Sequence, residues 1–177
     1  MRTEWNLYYP SWMIADGEPD REVGETFEWF AVEFWTQQPL TKTRVRSKTA
    51  VLVADFKYRI TGEITFLSDK ACVIDFGLSA IDTPNAVTPD CQQGDYVTGD
   101  IGIGLPLCVE IAPDAVLETL RRKWHVNSIS ADLTPFKSYP DNPRLLVRDE
   151  ARIEYIEVKS TRDVDARDYV LRCTEIR

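Results

Sequence analysis

Between Ala50 and Ile103 the chain is a succession of short apolar and β-branched runs broken by turn residues. This stretch limits the possible folds more than any other. Ala50 to Tyr58 reads as extended, and Arg59 to Leu67 continues the run with Gly62 at a bend or bulge. Ser68-Asp69-Lys70 turns the chain into Ala71 to Phe76. A loop around Pro84 to Gln93 leads to a last strand, Tyr96 to Ile103. Its glycines, Gly99 and Gly102, call for strong curvature or close backbone approach, as in a small barrel.

One helix is expected, at Pro113 to Trp124. Val116, Leu117, Leu120 and Trp124 form an apolar stripe at helical spacing. Pro113 suits the first turn. Asp114 and Glu118 near the start, with Arg121 to Lys123 at the end, match the helix dipole. Further strands are expected at Val126–Ala131, Leu145–Val147, Arg152–Lys159 and Asp168–Ile176. Pro135 to Pro143, with three prolines, reads as a loop.

A bent strand, two more strands, a helix and further strands follow the order of an OB-fold. The run Tyr58 to Ile103, with Gly62, Gly77 and the octapeptide Gly94 to Ile101, resembles such a barrel. The resemblance covers residues 50–177. It implies binding of an oligonucleotide, an oligosaccharide or a protein, and does not choose among them. The expected fold is mainly β: a small curved, OB-like β-barrel with one helix and an extra N-terminal β-hairpin. The chain reads as a single domain over 1–177, with 1–48 as an aromatic and basic extension on a barrel core of 49–177.

The extension holds the candidate site. Lys42, Arg44, Arg46 and Lys48 occupy alternate positions in Thr41 to Thr49. In a strand they would form one row about 20 Å long. Phe27 to Trp35, just before, carries five of the twelve Phe and Trp residues, so cations and aromatics are neighbours in sequence. Phe27, Trp29, Ala31 and Trp35 share one parity; Phe30, Val32 and Phe34 share the other. A strand apolar on both faces meets another layer or another chain. Gln37 to Leu40 would turn it into the basic strand. Lys42, Arg44, Arg46, Lys48, Trp29 and Trp35 are therefore the candidate binding residues. Two structural readings compete with that role. The row could guard a sheet edge. It could also pair with the chain's own acids, such as Glu28 or Glu33 across the hairpin.

Other chemistry finds little support. His125 is the only histidine, and no nucleophile signature accompanies it. Cys72, Cys91, Cys108 and Cys173 are widely spaced, with no C-x-x-C, and read as thiols, mostly buried, in a reducing cytosol. No calcium-loop or phosphate-loop spacing occurs among the acids or at Gly99 to Gly104. Asp163, Asp165 and Asp168 read as solvated turn residues. No catalytic residue, metal or cofactor is assigned. Met1 to Trp5 holds no apolar signal segment, and no run approaches a membrane span.

The net charge of -8 repels nucleic acid at long range and favours a basic partner. The expected function is a cytoplasmic, non-catalytic binding module for a protein partner, or one that self-associates. An inhibitor or immunity-type protein of a basic enzyme fits the charge. Two alternatives rank below it: single-stranded nucleic-acid binding through the basic and aromatic face, and an enzyme with an unrecognised acid–base pair.

Overall fold

Along Lys57 to Leu67, alternation buries Tyr58, Ile60 and Ile64 and leaves Lys57 and Arg59 outside. That period of two makes this segment one wall of a barrel. The computed structural model describes residues 4–105 and 112–176. In chain order the first half forms β1 (Glu4–Pro10), α1 (Ser11–Ala15), β2 (Thr26–Trp29), β3 (Val32–Trp35) and β4 (Thr41–Lys42). Then come β5 (Thr49–Ala54), β6 (Lys57–Leu67), β7 (Cys72–Asp75), β8 (Ser79–Asp82) and β9 (Tyr96–Gly104). The second half forms α2 (Asp114–Leu120), β10 (Arg122–Asp132), β11 (Phe136–Tyr139), β12 (Asn142–Arg148), β13 (Tyr155–Val158) and β14 (Asp168–Ile176).

Strands β9, β3, β8, β7 and β6 close a five-stranded barrel, because β6 pairs back onto β9. The β3–β8 contact is parallel and the other four are antiparallel. The fold is thus mainly β, with a closed barrel and the expected helix. Gly62 permits a close approach of β6 to β7. A Cβ there would lie 2.7 Å from Ile74 Cγ2 and 2.9 Å from the Asp75 carbonyl oxygen.

The barrel continues into a second set of strands. β1 touches β9 through Tyr8 and Gly104, then runs antiparallel to β14 along its whole length. Beyond β14 lies β10, whose far side is shared by β2 and β13. One hydrophobic core runs through both parts, and Trp124, Tyr9, Phe34 and Leu7 are fully buried in it.

Four expectations need correction. The N-terminal hairpin over 26–48 does not form: β2 pairs with β10, β3 with β8 and β9, and β4 with β9. The two apolar parities of Phe27 to Trp35 have a simple cause. Phe27 and Trp29 are buried on β2, while Val32 and Phe34 are buried on β3. The chain changes partners at Phe30-Ala31, and its alternation changes phase there. Residues 4–48 are consequently woven into the fold, supplying the barrel strand β3 and the bridging strand β1.

The helix is also shorter than its apolar stripe. It ends at Leu120, and Trp124 lies on β10 opposite Phe27. Leu117 and Leu120 pack with Ala31, Ala71, Val73 and Ile81 in a small separate cluster. From Arg122 the burial pattern has period two, and Trp124 falls on helical spacing by coincidence. The expected loop 135–143 contains β11, which pairs with β12 as a separate two-stranded arm. Pro135 and Pro140 flank β11 and cost it no ladder bond. Finally, Ala50–Tyr58 is two strands joined by a tight turn at Asp55, whose φ is 46°. Cys72 and Cys173 are buried, Cys91 is half-buried, and Cys108 lies outside the described residues.

Candidate interaction surface

The basic stretch is a loop pinned at both ends. Only Thr41 and Lys42 are strand, and residues 43–48 run free of any ladder until β5 begins. Lys42 Nζ lies 2.8 Å from Asp95 Oδ2, with Asp90 at 4.0 Å. Lys48 Nζ lies 2.8 Å from Asp75 Oδ2 and 3.0 Å from Glu63 Oε2. Hydrogen bonds donated to Asp75 and then to Glu63 hold the Lys48 ammonium well above the usual lysine range. Asp95 is held below the usual carboxylate range by Lys42 and by the Gln92 N–H. Burial raises the Asp75 carboxyl, but Lys48 and the Gly77 N–H together bring it below the usual range.

Pairing with the chain's own acids therefore accounts for two of the four cations. The partners are Asp95, Asp75 and Glu63 rather than Glu28 or Glu33. Glu28 is exposed opposite Lys123. Glu33 is half-buried, its carboxyl raised first by burial and then by Asp82. Arg44, Val45 and Arg46 are exposed between the two clamps. Among the described residues neither guanidinium makes an ion pair.

The two candidate tryptophans separate as well. Trp29 is buried, stacked on Phe30 at 5.0 Å between ring centres. The buried Arg21 guanidinium sits beside it, 4.1 Å from the Phe27 ring centre and 5.8 Å from the Trp29 ring. Trp29 is thus core and has no open face for a partner. Trp35 stays half-buried on the outside of β3, edge-on to Tyr8 and tilted against Phe56. It lies flat over Gly102, where a Cβ would come within 2.5 Å of the ring. Gly102 is the device that lets an aromatic ring rest on the barrel wall.

A groove of about 520 Å³ opens beside Trp35. Gly102, Asp100 and Thr98 of β9 line it together with Val53, Lys57 and Arg59. Arg59 is bound to Asp100 through two contacts, 2.8 and 3.0 Å. Val53 lies on β5, which pairs with β6 on one side and with no strand on the other among the described residues. Val51, Leu52 and Val53 are 62%, 48% and 49% exposed. No charged residue lies between Thr49 and Ala54. A free edge of this kind offers unpaired N–H and C=O groups flanked by apolar side chains.

The sequence reads Ala50 to Tyr58 as extended but does not mark β5 as an edge, since nothing in Ala50 to Ala54 distinguishes a buried strand from an exposed one. The guarded edge expected at 42–48 is inverted in the structure. The cations sit on the loop, and the true edge strand follows it without any.

Among the described residues, other groups gather no comparable site. His125 is half-buried on β10, opposite Thr26 and Thr174. Glu33 and Asp82 are both raised by burial, but neither lines the groove beside β5 or the one between α2 and β10. Among the described residues no group of three His, Cys, Asp or Glu side chains gathers as metal ligands, and no helix is long and apolar enough to cross a membrane. Comparison with protein-family models, with curated proteins and with solved structures finds no match.

Proposed function

We propose that this chain is a non-catalytic protein-binding module whose contact surface is the ribbon from Arg44 to Ala54. The observation that carries the reading is the free, uncharged edge of β5, with Val51, Leu52 and Val53 exposed. An incoming extended segment gains main-chain hydrogen bonds along such an edge, and pockets beside it read alternate side chains. Here the groove at Trp35 is adjacent on one face.

The net charge of -8 supports the narrower expectation of a cytoplasmic, inhibitor-like protein that attracts a basic partner. The OB-like label has less behind it. The barrel has five strands, but α2 follows the fifth of them instead of the third. Nucleic-acid binding has less support. Two of the four cations are neutralised, and Trp29 is unavailable for stacking.

Affinity capture with the wild type and with a Val51→Lys/Val53→Lys variant tests the reading. A partner should be retained by the first and lost by the second, and hydrogen exchange should show new protection on β5 amides in the complex. A partner held equally by both would move the surface elsewhere.

A further inference from the structure

We propose that the occupant of the β5 edge is a second copy of this chain, paired antiparallel about a two-fold axis at Leu52. This rests on the reading of β5 as a binding edge and names its partner.

The sequence of the strand carries the argument. Ala50-Val51-Leu52-Val53-Ala54 is a palindrome. A two-fold interface uses the same patch on both copies, so residue i faces j and j faces i. With Leu52 on the axis, Leu52 meets Leu52, Val51 meets Val53, and Ala50 meets Ala54. Every opposed pair is aliphatic and matched in size, and cross-strand pairs of this kind stabilise a ladder. No charge is buried, because Thr49 to Ala54 carries none.

In this register Thr49 of one copy falls opposite Asp55 of the other, at the turn that ends β5. The loop before Thr49 in each copy then runs past its neighbour's turn, where Asp55 is followed by Lys57 and both signs are present. The long-range repulsion between two chains of charge -8 is left to weaken the pair.

The strand bears one device that discourages pairing. Its register with β6 slips between Leu52 and Ala54, and such a bulge adds twist to an edge. In the proposed dimer the two bulges lie symmetrically about the axis and leave the central Leu52 pair between them. A six-residue strand with its flanks falls short of the ~800 Å² per partner of a standard interface. The dimer is therefore weak and concentration-dependent.

Sedimentation velocity over a wide concentration range tests the proposal on the full chain. The wild type should pass from monomer to dimer. Leu52→Lys sets two ammonium groups on the axis and should weaken the dimer at least about tenfold, near 1.4 kcal/mol. Its thermal melt should match the wild type, since the side chain is half exposed. Cysteine replacement reads the register. Leu52→Cys should cross-link to itself under mild oxidation, because residues on the axis face each other at roughly 4.5–5.5 Å between Cα atoms. Thr49→Cys should not, since its counterpart is Asp55. A wild type that stays monomeric at every concentration overturns the dimer. If that monomer still captures a partner through β5, the edge reading survives. A dimer that Leu52→Lys leaves intact, or a Thr49→Cys that cross-links as readily as Leu52→Cys, also overturns it.

Discussion

The long sheet has two terminal strands, β5 and β13, and they are built differently. β13 is four residues long, half-buried, and carries exposed Glu157 in its middle, with exposed Glu154 and Lys159 at its ends. A strand docking there would strip water from a carboxylate. β5 is six residues long, holds no charge, and exposes three aliphatic side chains. Docking there removes apolar surface from water and satisfies free backbone groups. The two ends therefore differ in all the features that guard an edge, namely charge, strand length and burial.

Four experiments break or sharpen that contrast. The largest effect is expected beneath β5, at Gly102, which pairs with Lys57 of β6, the neighbour of Ala54. Gly102→Ala drives a Cβ into the Trp35 ring and should cost about 1–3 kcal/mol in denaturant unfolding. Ser130→Ala, on the strand beneath β13, should stay within about 0.5 kcal/mol. Equal losses at both sites would show that the wall under β5 is not specially built. The second is the Val51→Lys/Val53→Lys variant, which gives β5 the charge that β13 already has. Any association through β5 should weaken at least about tenfold with stability nearly unchanged, read by sedimentation and a thermal melt.

The converse comes third. Glu157→Val removes the guard from β13 and should yield species larger than the wild type forms, detected by light scattering. No change would mean that β13 is protected by its surroundings instead of its carboxylate. The smallest effect concerns the loop that leads into β5. Asp95 and Asp75 are depressed by their lysine partners, so the clamps contribute above the ordinary carboxylate range. That contribution is lost as pH falls through the depressed native values. Acidification to pH ~3 should lower amide protection across 43–48, measured against the unstructured exchange rate at the same pH, while β9 remains protected. Lys48→Ala should reproduce the loosening at neutral pH, with a stability change of about 0–1 kcal/mol because the pair is partly exposed. Unchanged protection in both cases would remove the clamps as the reason the loop holds its path.

Much of the barrel was legible because its strands obey local rules. Tyr58, Ile60 and Ile64 alternate, Gly62 and Gly102 mark close approach, and Ser68 to Lys70 turn the chain back. The phase change between Trp29 and Val32 was also present in the sequence. Its meaning, a change of sheet partner, required knowing that β10 and β8 lay nearby. The candidate site was legible only in part. The alternation of cations at 42–48 is real, but the strand it suggested does not form. Lys42 and Lys48 find acids on β9, β6 and β7, or beside them, and those contacts fix the loop. Trp35 stayed on the surface and Trp29 did not, though both stand in the same aromatic run.

By itself the sequence determined the strand-rich class, the barrel wall, the presence of α2 and the acidic charge. These follow from periodicity, turn chemistry and composition, which act within a few residues. Tertiary structure alone decided which strand became an edge, which cations were spent on internal clamps, and which aromatic ring rests over a glycine. Each of these depends on neighbours far away in the chain. A five-residue aliphatic run is compatible with core or rim, and the pairing of β6 with β9 and β7 left β5 with one open side among the described residues.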